Sequence, residues 1–286
     1  MTPFHAFLLS VLQGATEFLP VSSSGHLVIA EKLLERREVP GQDNILFDVL
    51  VHVGTLLSIL FVFRQQLLDL IRYFFVEARS RFVQGGVKAA WLEDSRGRLI
   101  VAIVFASAPT GVIGLLGKKR FEALFSNPYS VGWALCITAA LLAATLFVKP
   151  RNGANLDNVS EDSLSLWKAF LIGIMQGLAI TPGISRSGST IAAALLLGLD
   201  RRIAGEFSLL IAIPAILGAA LMELRKFSMA DANLSLSVAI LSVAVSAAAG
   251  YVFLRLLLRF VRGGQFGYFS IYCLAVGIWA ICWFPR

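Results

Sequence analysis

Glu17, Ser22, Ser23, Ser24 and His26 fall within one short run, Gln13-Gly-Ala-Thr-Glu-Phe-Leu-Pro-Val-Ser-Ser-Ser-Gly-His26. Far along the chain, Gln176-Gly177 and Pro182-Gly-Ile-Ser185-Arg186-Ser187-Gly188-Ser189-Thr190 partly repeat it. Adding 163 to a position in the first run reaches its partner in the second: Gln13 meets Gln176, Gly14 meets Gly177, Ser22 meets Ser185, Ser24 meets Ser187 and Gly25 meets Gly188. The shared residues are polar or glycine, which chance alignment of apolar helices does not select. In both runs the serines precede an apolar stretch, the pattern of a helix N-cap. Free N–H groups and the positive end of a helix dipole make such a start an anion site. Two of them face to face, with an arginine fork in one, describe a cradle for a phosphate or diphosphate. Ser22, Ser24, Gly25, Ser185, Ser187 and Gly188 are its expected lining.

The ionisable members point to catalysis. Glu17 can act as a base or bind a divalent cation, with Gln13 one helical turn earlier offering a neutral oxygen. Ser23 and His26 lie three residues apart, on one face if helical. His26 at that spacing can polarise Ser23 or a water, or protonate a leaving oxygen. Structural alternatives stand beside each role. Glu17 and Arg186 can form a buried ion pair that only locks the two loops, and an isolated histidine is commonly a satisfied structural one. His52 follows Asp48 by four residues, an Asp–His helix pair that is expected to be structural or supporting. Glu206 reads as a helix-start residue.

The elements that position these groups are membrane helices. The chain has 286 residues, of which 15% are charged, against about 25% in soluble domains. Full crossings are expected at 45–63, 99–117, 129–148, 204–224, 234–257 and 265–284, each near the ~20 residues that span hydrocarbon. The pieces at 4–16, 24–35, 166–178 and 187–199 are too short to cross. They read as two helix–loop–helix hairpins that enter and return, their loop backbone buried in protein or lining a wet cavity. Residues 64–98 carry seven Lys/Arg with Leu67, Leu68, Ile71, Phe74 and Phe75 at helical spacing, as in a helix lying in the interface.

The expected fold is therefore an all-α polytopic membrane protein built as an inverted-topology repeat. Each half holds one re-entrant helix–loop–helix plus three transmembrane helices, and three being odd, the second half is upside down. One membrane domain over 1–286 is expected, with residues 1–150 as the first repeat and 160–286 as the second. Fifteen Lys/Arg fall on the side of loops 64–98, 149–168, 199–203 and 255–262, against nine opposite, which places both termini outside. Met1-Thr-Pro-Phe-His5 has no basic start of a cleavable signal. Cys136, Cys273 and Cys282 sit in apolar spans and read as packing residues. The net charge of +7 resides between spans, so headgroups and topology explain it without nucleic acid.

Gln13-x-x-x-Glu17, the Phe18–His26 run and Pro182–Thr190 together resemble the signature motifs of the bacterial undecaprenyl-diphosphate phosphatase family, of the bacitracin-resistance type. The resemblance covers nearly the whole chain in length and span order. It implies a multi-pass enzyme of the bacterial plasma (inner) membrane. The implied reaction removes the terminal phosphate of undecaprenyl diphosphate, recycling the lipid carrier for cell-wall synthesis, and requires a divalent cation, Mg2+ or Ca2+. By motif position, Glu17 is implied in metal binding or catalysis, Ser23 as nucleophile and His26 in acid/base or nucleophilic work. Arg186 matches the phosphate clamp, and Thr190 closes its motif. Gln13 stands where some members carry glutamate, so this chain has one fewer candidate metal carboxylate. Expected partners are the polyprenyl diphosphate and the bilayer; a homodimer is compatible. Serine and water remain alternative nucleophiles.

A lipid or anion transporter or flippase is the alternative function, since inverted repeats with broken helices are typical of that class. The type-2 phosphatidic-acid phosphatase group needs a second histidine after its Ser-Arg motif, and none occurs beyond His52.

Overall fold

A computed structural model of the chain describes residues 2–35, 45–125, 127–149, 164–225 and 234–284. The acidic loop residues Asp157, Glu161 and Asp162, and the basic residues Arg36, Arg37, Arg151, Lys226 and Arg286, lie outside the described residues. Among the described residues all regular structure is helical. Helices α1 (Pro3–Phe18) and α2 (Ser23–Glu35) form the first hairpin, and α8 (Leu166–Leu178) and α9 (Arg186–Leu196) the second. With 13 residues, α8 extends about 20 Å, well short of a crossing.

The expected crossings all meet a helix: α3 (Ile45–Val62), α6 (Ser95–Phe125), α7 (Pro128–Ala144), α10 (Arg201–Leu224), α11 (Leu236–Arg262) and α12 (Phe269–Trp283). Among the described residues, five helical stretches are long and apolar enough to cross, and a sixth if Leu46–Val62 is joined to the helix that follows it across a 76° bend. Beyond that bend run α4 (Arg64–Arg72) and α5 (Ala78–Lys88), an amphipathic arm and the element expected at the interface. Its apolar residues Leu68, Ile71, Phe74, Phe75 and Val83 are exposed, as are Val104, Leu116, Trp133, Ile240 and Ile271 on the crossings. Such an apolar exterior is suited to lipid, and the chain is a multi-pass membrane protein. The arm is fastened at its base. Tyr73 donates its hydroxyl to the Ala90 carbonyl, and Arg96 grips Glu77 at 2.7 Å and Asp94 at 3.3 Å.

Packing is crosswise between the halves. α1 lies along α11, and its sequence counterpart α8 lies along α6, the equivalent second crossing of the first half. α7 and α12, again equivalents, lie along each other. The main apolar cluster accordingly mixes both halves, with Phe18, Ile59, Ile191, Phe207 and Leu254 all buried in it. Glycine lets these axes approach. A Cβ on Gly14 would stand 2.6 Å from the Ala249 Cβ and 2.8 Å from the Ser246 carbonyl, and one on Gly277 would stand 2.8 Å from the Gly132 carbonyl. Small residues at helix crossings are the usual solution in lipid, where apolar burial gives helices no reason to associate.

Gly132→Val forces α7 away from α12. It is expected to cost about 1–3 kcal/mol, read as a lowered thermal unfolding midpoint of the full chain in detergent.

Candidate active site

Each hairpin breaks at a serine that caps its second helix. Ser185 Oγ accepts the Gly188 N–H at 3.0 Å, and Ser22 Oγ accepts the Gly25 N–H at 3.3 Å. The two loops then meet directly. Ser22 Oγ also accepts the Gly183 N–H at 3.1 Å, and a Cβ on Gly25 would stand 3.0 Å from the Gly183 Cα. Ser22 holds φ at 70°, a left-handed conformation that costs a non-glycine residue about 1–2 kcal/mol. Thr138 on α7 braces the second loop, donating to the Gly183 carbonyl at 2.9 Å and accepting the Ser185 N–H at 3.0 Å.

Glu17, at the last turn of α1, sits at this junction and is 7% exposed. Its Oε1 accepts Nη2 of Arg186, the first residue of α9. Its Oε2 accepts the Ser23 hydroxyl at 2.6 Å and the Gln13 Nε2 at 2.9 Å. The expected group of Glu17, Gln13, Ser23 and Arg186 is thus brought together. Two polar atoms in it are buried without a hydrogen-bond partner among the described residues, Arg186 Nη1 and Gln13 Oε1. A buried donor or acceptor left unmade costs about 1–3 kcal/mol, and more when charged.

His26 is placed differently from the expected contact with Ser23. Its Nδ1 bonds the Ser22 carbonyl at 2.8 Å and its Nε2 the Tyr272 hydroxyl at 2.8 Å, so the ring presents both nitrogens to groups other than Ser23. Tyr272, on α12, escaped the sequence reading because nothing local marks it. His52 Nε2 lies 3.9 Å from Glu17 Oε2. Its Nδ1 meets the backbone carbonyl of Asp48 at 2.7 Å, in place of the side-chain pairing that the spacing raised. The other expected lining residues find internal partners. Ser24 and Ser187 lie 3.4 and 3.3 Å from the hydroxyls of Ser22 and Ser185, and Thr190 bonds the Arg186 carbonyl at 2.7 Å and the Ser208 hydroxyl. An N-cap serine satisfies only one of a helix's four orphan first-turn donors, so each start keeps N–H groups for an anion. Glu206 ties Arg202 to Arg262, each at 2.9 Å, near the start of α10 and apart from this junction.

Fold and site together define a multi-pass membrane protein with a buried carboxylate–arginine centre where two broken helices meet. The family model described as "Bacitracin resistance protein BacA" matches residues 6–279. Proteins named undecaprenyl-diphosphatase are similar over nearly their whole length. That of Desulfatibacillum aliphaticivorans is 42% identical over 276 residues, 94% of each chain. Those of Desulfosudis oleivorans and Alkaliphilus metalliredigens are 40% and 37% identical over 279 residues, 97% of each chain. The chain belongs to the BacA family.

Removing one member of a buried ion pair strands its partner. Arg186→Met is expected to lower stability by about 3–5 kcal/mol, and the double variant Glu17→Gln/Arg186→Met to recover most of that loss. Thermal unfolding of the four proteins in a double-mutant cycle checks the coupling.

Proposed function

We propose that the chain hydrolyses undecaprenyl diphosphate to undecaprenyl phosphate and inorganic phosphate, in the bacterial plasma membrane, recycling the lipid carrier used in cell-wall synthesis. The observation that carries this reading is Arg186. One guanidinium nitrogen, Nη2, holds Glu17, and a second, Nη1, is buried without a partner among the described residues. A phosphate oxygen is the acceptor that fits it. The relatives' hydrolase name favours this reading over a transporter built on the same repeat.

The residues divide the work. Arg186 and the first-turn N–H groups of α2 and α9 hold the terminal phosphate and stabilise the charge that grows on it, usually the largest contribution to such catalysis. Glu17 accepts the Ser23 proton at 2.6 Å, or that of a water standing in its place. The freed oxygen attacks phosphorus, and the bond to the bridging oxygen breaks. That electron pair leaves with the polyprenyl monophosphate. Where Ser23 was the nucleophile, a water then attacks the phosphoserine phosphorus, Ser23 Oγ leaves and recovers the proton held by Glu17, and inorganic phosphate is released. With its Nε2 on Tyr272, His26 fixes the start of α2 through the Ser22 carbonyl, and so the direction of the cap.

A divalent cation, Mg2+ or Ca2+, belongs to the proposal. No three His, Cys, Asp or Glu side chains cluster as a metal site among the described residues. The fit rests instead on oxygens: the Glu17 carboxylate and the orphaned Gln13 Oε1, with the substrate's phosphates and water completing the shell of a hard cation. Bound there, the cation would offset charge on the diphosphate.

Phosphate release from polyprenyl diphosphate by purified protein tests the reading. Arg186→Ala and Glu17→Ala are expected to lose at least about 100-fold in turnover, and near-normal rates in both would refute it. Gln13→Glu restores a second carboxylate and is expected to lower the half-saturating Mg2+ concentration in the same assay.

A further inference from the structure

We infer that His52 is a ligand of the active-site cation, supplying one nitrogen to a site otherwise built of oxygens. The inference rests on the proposed phosphatase reading and extends its metal site to a third element, α3. His52 Nδ1 is engaged by the Asp48 carbonyl one turn back, at 2.7 Å. A carbonyl can only accept, so Nδ1 carries the hydrogen and Nε2 is the ring nitrogen left to meet a cation. This outer hydrogen bond is the arrangement that orients metal-binding imidazoles and raises their basicity. Nε2 lies 3.9 Å from Glu17 Oε2. Donors sharing one cation at bonds of about 2.1 Å stand about 3–4 Å apart, a range that includes this separation.

A second observation points the same way. Gln13 is fully buried and its Oε1 has no partner among the described residues, while its Nε2 rests on the same Glu17 oxygen. A carboxylate and an imidazole thus meet from α1 and α3, and the amide that donates to this carboxylate keeps an unpartnered oxygen. The side chain of His52 is 34% exposed, so its ring is not sealed within the bundle. Imidazole shifts preference towards Mn2+ and other first-row transition ions relative to Ca2+.

The test is pulsed electron paramagnetic resonance of Mn2+ bound to the purified full chain. The expected result is a nitrogen-14 modulation of the Mn2+ echo that survives in His26→Gln, disappears in His52→Gln, and converts to the nitrogen-15 pattern when histidine is isotopically labelled. Mn2+ affinity by calorimetry is expected to fall at least about tenfold in His52→Gln, with Ca2+ affinity changing less. A wild-type Mn2+ echo without nitrogen modulation would overturn the assignment. Modulation lost in His26→Gln would overturn it also, and needs no folded His52 variant. Wild-type phosphate release is measured on the same samples. Release without nitrogen modulation defeats only the His52 assignment, whereas no release with Mg2+, Ca2+ or Mn2+ defeats the phosphatase reading itself.

Discussion

The ion pair between Glu17 and Arg186 joins residues 169 positions apart in an apolar interior. Neither charge is tolerable there alone. The effective penalty for burying an ion is several kcal/mol, and only a well-placed opposite charge with further hydrogen bonds offsets it. Glu17 therefore accepts from Arg186, Ser23 and Gln13 together. The two hairpins must dock tip to tip for this to happen, and the backbone contact of Gly25 with Gly183 follows from it.

Half-length helices create a second requirement that serves the same centre. A helix ending inside the bilayer leaves N–H groups that no water or lipid satisfies. Ser22 and Ser185 satisfy some of them as caps, and the first turns keep further donors beside the Glu17–Arg186 pair. Termination of the helices and recognition of an anion are thus one structural event. The deep placement of the tips depends on how closely the surrounding crossings pack. Gly14 admits α11 and Gly173 admits the backbone of Ala106 on α6, so each hairpin is gripped by a helix of the opposite half.

The carboxylate centre and His26 are held by different parts of the bundle. Glu17, Ser23, Arg186, Gln13 and His52 form a set around one carboxylate, whereas His26 is drawn to Tyr272 on α12. Cys273, the next residue, donates to the Pro20 carbonyl at 3.3 Å. α12 thereby holds the first loop at Pro20, while Ser187 of α9 donates to the Leu19 carbonyl at 3.4 Å. Such a division suits phosphoryl transfer, in which positioning and charge stabilisation do most of the work.

The sequence alone determined the helical membrane class, a helix at each expected crossing, the two interrupted hairpins and the 163-residue echo. Those features are local: helix rise fixes how many apolar residues cross the bilayer, and serine–glycine breaks mark where a short helix must start. It also foretold that Glu17 and Arg186 meet, because a lone charge at that depth demands an opposite one. Only the tertiary structure decided the rest. The spacing of His26 and Ser23 allowed a contact that the packing of α12 diverted, since Tyr272 stands 246 residues away. His52 sat beside Asp48 in sequence, yet its free nitrogen faces Glu17 because α3 packs against α1. Which acceptor a side chain reaches is set by how helices from distant parts of the chain lie against one another, and helical periodicity carries no record of that.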